Sequence, residues 1–317
     1  MKIHLVTPAK KLSKNGNRTS ALRWARLLRE QGHKVRVDTD YNRESVDLVI
    51  ALHAWRSAAA IARYRDLFPS GALIVVLGGT DVNTFLKSDP ETTLRSMHLA
   101  DALVCLHDLI ANELPVELRN KLTVIRQSAR PLPRARKTGT RYFDVCVIGH
   151  LREEKDPFRS ALAARLLPDS SRLRVIHFGK AHSPEWDRLA QTEMSQNLRY
   201  QWKGEVPASR VRTELARTRL MIISSNQEGG ANVISEALVA GVPIIASDIA
   251  GNIGLLGADY PGYYPLGDEQ GLAKLLHRAE TDPAFVARLE KHCQGLAPAF
   301  TPEHEAATWA QVIAAIT

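Results

Sequence analysis

Residues 220–248 read LMIISSNQEGGANVISEALVAGVPIIASD, and this stretch decides the fold. An apolar run, Leu220–Ser224, leads into a loop with paired glycines, then a helical pattern from Asn232, then a second apolar run, Pro243–Ser247. Strand, glycine turn, helix and strand in that order predict a βα array built on a parallel sheet. Gly229 and Gly230 let the backbone approach a ligand closely, and the free N–H groups of the helical turn beyond them suit phosphate. Glu228 lies in the loop and Glu236 in the first turns of the helix. Two carboxylates would repel a phosphate, so they suit the neutral hydroxyls of a ribose or hexose beside it. The same residues can also be read as exposed glutamates and a helix that merely follows a glycine turn.

The rhythm extends in both directions. Strands are predicted at Lys2–Thr7, Lys34–Thr39, Val46–His53, Ala72–Gly79, Ala102–His107 and Lys121–Arg126, with helices near 17–31, 54–67, 91–100 and 108–119. The stretch Gln127–Tyr142, QSARPLPRARKTGTRY, breaks the pattern with prolines and basic residues and reads as a hinge. Strands then resume at Phe143–Gly149, Leu173–Gly179, Leu198–Lys203, Leu220–Ser224, Pro243–Ser247 and Gly262–Pro265. Helices are predicted near 156–167, 184–195, 207–218, 232–240, 268–280, 283–294 and 302–316. The runs are apolar on both parities, as strands covered on both faces are. The expectation is an α/β chain of two doubly wound domains, 1–138 and 139–300, with the segment 301–317 returning to the first. Ligands of such folds bind outside the carboxyl ends of the strands.

The 317 residues carry a net charge of +8, which suits anionic partners. The basic hinge has no interleaved aromatics, so nucleic-acid stacking has no support. The first apolar run is too short for a secretory core, and nothing approaches the ~20 apolar residues of a membrane span. A cytoplasmic chain that needs no membrane is expected. Cys105, Cys146 and Cys293 form no CxxC and read as buried, reduced thiols. GxxxxGK[ST], GxGxxG after the first strand, and GxSxG are all absent.

Three further loops carry chemistry. VIGHLREEKDP, Val147–Pro157, places Arg152 and Lys155 in a strand-to-helix loop, where two cations could neutralise a diphosphate. Alternatively they pair internally with Glu153, Glu154 and Asp156. Gly16, Asn17 and Arg18 open the first helix, an anion-site pattern. LGGTD, Leu77–Asp81, ends a strand with Thr80 and Asp81, and His53 ends another. For these loops the alternative is turn and cap chemistry, and for His53 a satisfied buried histidine.

EGGANVISEALVAGVPIIASD resembles the E-x7-E signature of GT-B glycosyltransferases, with Glu228 and Glu236 as its carboxylates. VIGHLREEKDP is similar to the opening of their second domain, and GNRTSALRWARLLREQGHKVRV to their first loop, helix and second strand. Within that group the chain looks most like the selenosugar synthases of selenoneine biosynthesis. The segments carrying this narrower likeness are ALHAWRSAAAIARYR, LGGTDV, IRQSARP and GNIGLLGADYPGYYPLGD.

The resemblance implies a GT-B transferase taking a UDP-sugar, UDP-N-acetylglucosamine, and selenophosphate to a 1-selenosugar. It implies that Arg152 and Lys155 hold the diphosphate, Glu236 the ribose and Glu228 the hexose. Glu228, Arg152 and Lys155 form its catalytic set, and Glu205, Gly229, Gly230, Ala231, Asn232 and Val233 complete the donor site. It assigns the acceptor to Gly16, Asn17, Arg18, His53, Thr80, Asp81, Gln127, Ser128 and Arg130. No cofactor and no metal are expected, because the two cations take the metal's place. A lipid or polysaccharide acceptor, or a sugar-nucleotide binder without catalysis, are the rival readings.

Overall fold

The structure, a computed structural model, describes residues 1–13 and 16–317. It divides into unit 1, Met1–Ser128 with Pro302–Thr317, and unit 2, Ala129–Thr301.

Unit 1 is built on six parallel strands in the order β2-β1-β3-β4-β5-β6. They are β1 (Lys2–Val6), β2 (Lys34–Asp38), β3 (Leu48–Leu52), β4 (Ala72–Val76), β5 (Ala102–Cys105) and β6 (Leu122–Val124). Successive side chains point to opposite faces. Leu48, Ile50 and Leu52 of β3 join one core with Trp24 and Trp309, while Val49 and Ala51 join another with Tyr41 and Tyr64. The strands are apolar on both parities because both faces are covered.

Helix Pro302–Ala314 completes the first of these cores. Trp309 meets Trp24 edge-on, with ring centroids 5.4 Å apart. Beside them Glu305 is fully buried. Its carboxylate accepts from Trp24 Nε1 at 2.8 Å, Arg23 Nε at 3.3 Å, and the Ser128 amide at 2.9 Å and hydroxyl. A buried carboxylate persists only with such partners.

Unit 2 has six parallel strands in the order β12-β11-β10-β7-β8-β9. They are β7 (Phe143–Ile148), β8 (Leu173–Phe178), β9 (Tyr200–Trp202), β10 (Leu220–Ile223), β11 (Ile244–Ser247) and β12 (Tyr263–Tyr264). Each strand of both units lies inside the run where the apolar pattern predicts one.

The basic stretch departs from expectation. The division falls after Ser128, not after residue 138, because residues 129–142 are bonded into unit 2. The Ala129 amide donates to Phe300 O at 3.0 Å and the Lys137 amide to Ala216 O at 2.9 Å. Arg136 donates to the carbonyls of Gly241 and Thr218, Arg219 to Gly139 O, and Arg212 to Arg130 O and Pro131 O. Arginines that end on carbonyls make this segment a strap.

The helix expected over 108–119 is two short turns, Ile110–Glu113 and Val116–Arg119. Leu114 between them is extended (ψ 148°), as a residue preceding proline prefers. Helical turns over Asp81–Ser88 and Ala250–Leu256 were not predicted. The latter contains Gly251, Asn252 and Gly254, poor helix formers that burial overrides. Among the described residues no helix is long and apolar enough to cross a membrane.

Glu305→Ala strands the buried donors of Arg23, Trp24 and Ser128. Denaturant unfolding should show a loss of about 3–5 kcal/mol, with Glu305→Gln costing less.

Candidate active site

The strand order of unit 2 reverses between β7 and β10. Crevices outside the carboxyl ends at such a point are where open parallel sheets bind ligands. The loops leaving these two strands are 149–156 and 224–231. They are tied together: the Asn226 amide donates to Glu154 O at 2.9 Å, its Nδ2 to Glu153 O at 3.0 Å, and Ser224 Oγ to Asp156 O at 2.9 Å. Asp156 takes a left-handed conformation (φ 40°) and pairs with Arg159 at 2.8 Å. That turn sends Lys155 across to Glu228, and its Nζ bonds the Glu228 carboxylate. Ser225 Oγ donates to the same Glu228 oxygen at 2.6 Å.

The internal pairing considered for the charged loop forms for Arg152 but not for Lys155. Lys155 pairs with Glu228 and Asp156 with Arg159. Arg152 reaches only Glu154, at 3.7 Å, and stays 40% exposed.

Glycines shape the far wall. Gly230 adopts φ 136°, which lets the chain turn into helix Asn232–Val239. Ile234, Ser235, Ala237 and Leu238 of that helix are buried, and Ala231 caps it from the core side. Asn232, Val233 and Glu236 stay partly exposed along one face. Gly251 presses against the Glu228 loop: a Cβ there would collide with the Glu228 carbonyl and come within 2.7 Å of its Cβ. Ser247 Oγ donates to Ser225 O at 2.8 Å, and Asn252 Nδ2 to Ser247 O at 2.9 Å. Ser225, Ser247, Gly251 and Asn252 were not foreseen as site residues. A glycine inside an apolar segment was the one signal for close backbone approach.

On the β8 side, His177 bridges Tyr200 OH at 2.9 Å and Gly149 O at 3.0 Å, and burial pushes its pKa down to about 4. His150 and His182 rings lie 5.3 Å apart, both lowered first by burial. Glu205 is exposed beyond β9, and its charge acts on His150. Burial pushes the thiols of Cys105 and Cys146 up to about 12, so neither offers a thiolate nucleophile.

The residues assigned to an acceptor belong to both units. In unit 1, His53, Thr80 and Asp81 converge. His53 Nδ1 lies 2.6 Å from Asp81 Oδ1, and its Nε2 lies 2.7 Å from Thr80 Oγ1. Gly16 and Asn17 open the helix Gly16–Glu30, and Arg18 in its first turn is 7% exposed, not a surface charge. Gln127 and Ser128 correct the expectation. Both are buried, Gln127 Nε2 donating to Ser20 Oγ at 2.9 Å and Ser128 spending its amide and hydroxyl on Glu305. Arg130 belongs to unit 2, where its carbonyl holds Arg212.

Among the described residues no cluster of three or more His, Cys, Asp or Glu could hold a metal ion. Asp38-Thr39-Asp40 has Asp-x-Asp spacing, but Asp38 pairs with Arg36 and His4, and Asp40 with Arg63.

The family described as Glycosyl transferases group 1 matches residues 132–294, which include both loops of the unit 2 site. The chain belongs to that family. It is 23% identical over 304 residues to glycosyltransferase 1 domain-containing protein 1 of Xenopus tropicalis, covering 86% of each chain. Its fold is that of GT-B glycosyltransferases. Sucrose-phosphate synthase from Thermosynechococcus elongatus superposes with a TM-score of 0.77 at 16% identity, covering 99% of this chain and 98% of that one. HepE of Anabaena in complex with UDP superposes with a TM-score of 0.79 at 16% identity, covering 99% and 100%.

Gly251→Ala forces backbone against backbone beneath Glu228. Unit 2 should lose about 1–3 kcal/mol in urea unfolding, more than an alanine at the exposed Gly295, whose Cβ would meet nothing within 4 Å.

Proposed function

We propose that this group 1 glycosyltransferase transfers the sugar of UDP-N-acetylglucosamine to the selenium of selenophosphate, releasing UDP, and that water then cleaves the P–Se bond to give a 1-selenosugar and phosphate. The observation that carries the donor half is the Lys155–Glu228 contact at the β7/β10 reversal. It sets an ammonium suited to a diphosphate beside a carboxylate suited to a sugar hydroxyl. Arg152 supplies the second cation, and Glu236, on the exposed face of the following helix, takes the ribose. Ala231, Asn232 and the glycine turn line the phosphate path. HepE has been seen with UDP, with UDP and glucose, and with UDP-glucose, which favours a uridine nucleotide.

The acceptor half is supported by the segment AGNIGLLG. This is the part of the chain that resembles the selenosugar synthases, and its Gly251 packs directly on Glu228. Selenophosphate is anionic and a soft nucleophile, so the site must position it more than activate it. A lipid acceptor is disfavoured by helix Gly16–Glu30, whose Ala21, Trp24, Ala25 and Leu28 are core, not a membrane-facing stripe.

Mass spectrometry after incubation with the two substrates should reveal the selenosugar. UDP binding without turnover on any acceptor would instead favour a sugar-nucleotide binder. Turnover should survive a chelator, and a loss restored by magnesium would count against metal-free transfer.

Lys155→Ala should weaken UDP roughly tenfold to a hundredfold by calorimetry, because it removes a cation and leaves the Glu228 carboxylate beside the phosphates. Glu228→Gln should leave UDP affinity unchanged or tighter while transfer falls. UDP carries no hexose, so the pair separates the two roles.

A further inference from the structure

Unit 2 carries a second concavity, at the end of its sheet opposite the loops of the candidate site. It encloses about 520 Å³ where β7, β8 and β10 begin, beside Phe143, Arg172 and Arg219. All of its lining residues belong to unit 2. Pockets that hold small molecules span roughly 300–1,000 Å³.

Two walls face each other across it. One is the strap, every second residue of which lines the cavity: Arg136, Thr138, Thr140 and Tyr142. Side chains two apart in an extended chain share a face. The other is the helix Pro283–Leu296, which presents Pro283, Val286, Ala287 and Glu290. That spacing, i, i+3, i+4 and i+7, is one stripe of a helix. Phe285, Leu289 and Cys293 of the same helix are buried. The strap does not close over the first stripe, which leaves Pro283 and Ala287 exposed and Val286 half-buried. Phe143 and Val286 pack on the edge of the unit 2 core, so the apolar side of the cavity is continuous with it.

The strap is held from behind. Arg136 spends its guanidinium on Gly241 O and Thr218 O, and Arg219 gives an Nη to Gly139 O. The Arg174 guanidinium lies 3.6 Å over the Tyr142 ring and pairs with Asp144 at 2.7 Å. These bonds shape the cavity before any ligand arrives.

Its charge is unbalanced. The guanidiniums of Arg136, Arg172 and Arg219 line it against the carboxylates of Glu280 and Glu290. Glu280 is already occupied, accepting from Ser171 Oγ at 2.6 Å and the Arg172 amide at 2.7 Å. Glu290 reaches Arg136 only at 3.6 Å and is 38% exposed. Arg172 is exposed, and among the described residues its guanidinium has no carboxylate within ion-pair distance. A guanidinium at the rim of an apolar hollow suits an oxyanion, which it takes by two parallel N–H···O bonds. The hydroxyls of Thr138 and Thr140 add further donors.

We propose that this cavity binds a small organic anion: an oxyanion headgroup (carboxylate, phosphate or sulfonate) held by Arg172, and a flat apolar body laid between the strap and the stripe of Pro283, Val286 and Ala287. This goes beyond the transferase reading and does not depend on it, since it uses no residue of the Lys155–Glu228 site. The bound anion joins the strap to the helix, so it stabilises only the folded unit.

The probe is 8-anilinonaphthalene-1-sulfonate, a sulfonate on apolar rings that fluoresces when taken out of water. On the full chain it should bind saturably, and saturating UDP-N-acetylglucosamine should leave it bound. N-phenyl-1-naphthylamine, the same rings without the sulfonate, should bind about tenfold or more weaker. Arg172→Glu should weaken the sulfonate roughly tenfold to a hundredfold. Ala287→Glu, which sets a carboxylate into the hollow from an exposed position, should abolish its binding. Lys291→Glu makes the same charge change as Arg172→Glu at an exposed residue that lines no part of the cavity, and should bind as wild type does. Hydrogen exchange of the Lys137 amide, bonded within the strap to Ala216 O, should slow with the probe present. Displacement by UDP-N-acetylglucosamine would put the probe in the donor crevice and overturn the proposal. So would binding that never saturates, wild-type affinity in Arg172→Glu or Ala287→Glu, or an unchanged Lys137 exchange rate.

Discussion

The contact between Lys155 and Glu228 is the constraint around which unit 2 is arranged. Their side chains are 21% and 9% exposed. At that depth the attraction of an ion pair is largely offset by desolvation, so the pair is not retained for stability. What it achieves is a site that is electrically closed at rest and can open. On the proposed reading, an arriving diphosphate would draw the ammonium, and a sugar hydroxyl would donate to the freed carboxylate. This exchange needs both groups held to within a fraction of an ångström. The Asn226 and Ser224 bonds fix the lysine loop, while Ser225 and the pressure of Gly251 fix the glutamate.

The strands were legible because a parallel sheet covered on both faces writes itself as short, continuous apolar runs. The turn at Gly230 and the helix after it were legible because a glycine turn before a helix is a local pattern. Lys155 shows where local reading ends. Its neighbours in sequence are acidic, so the loop reads equally well as self-paired. A single left-handed residue, Asp156, turns the chain and gives the lysine a partner in another loop. Ser128 fails for a related reason. A serine in a basic hinge reads as exposed, and only the return of the last helix reveals that a buried carboxylate claims it.

The surplus of positive charge also changes meaning once the fold is known. Basic residues in a chain of net charge +8 suggest a field that steers anions inward. Several of the arginines instead end on backbone carbonyls. Arg65 holds the carbonyls of Pro69, Gly71 and Leu99, Arg199 those of Ala164, Leu167 and Pro168, and Arg136, Arg212 and Arg219 fasten the strap. A planar guanidinium with five donors can gather carbonyls that loops leave unpaired, which an ammonium does less well. Part of the charge is therefore the by-product of closing loops. On the proposed reading, the cations that would meet an anion are the few, such as Arg152 and Lys155, that stand at a strand's carboxyl end.

Each unit solves the same problem in its own way. The order of the first sheet reverses between β1 and β3, and His53 follows β3 as Lys155 follows β7. In each case the side chain is held by a carboxylate from the loop of a neighbouring strand, Asp81 after β4 and Glu228 after β10. The difference lies in what surrounds the carboxylate. Asp81 is saturated by three amides and is fully buried, so its partner is locked in one orientation. Glu228 takes a serine hydroxyl and a lysine, and the lysine can be drawn away. A locked carboxylate holds its partner in one tautomer. A carboxylate with an exchangeable partner suits one that must change partners when a charged ligand binds.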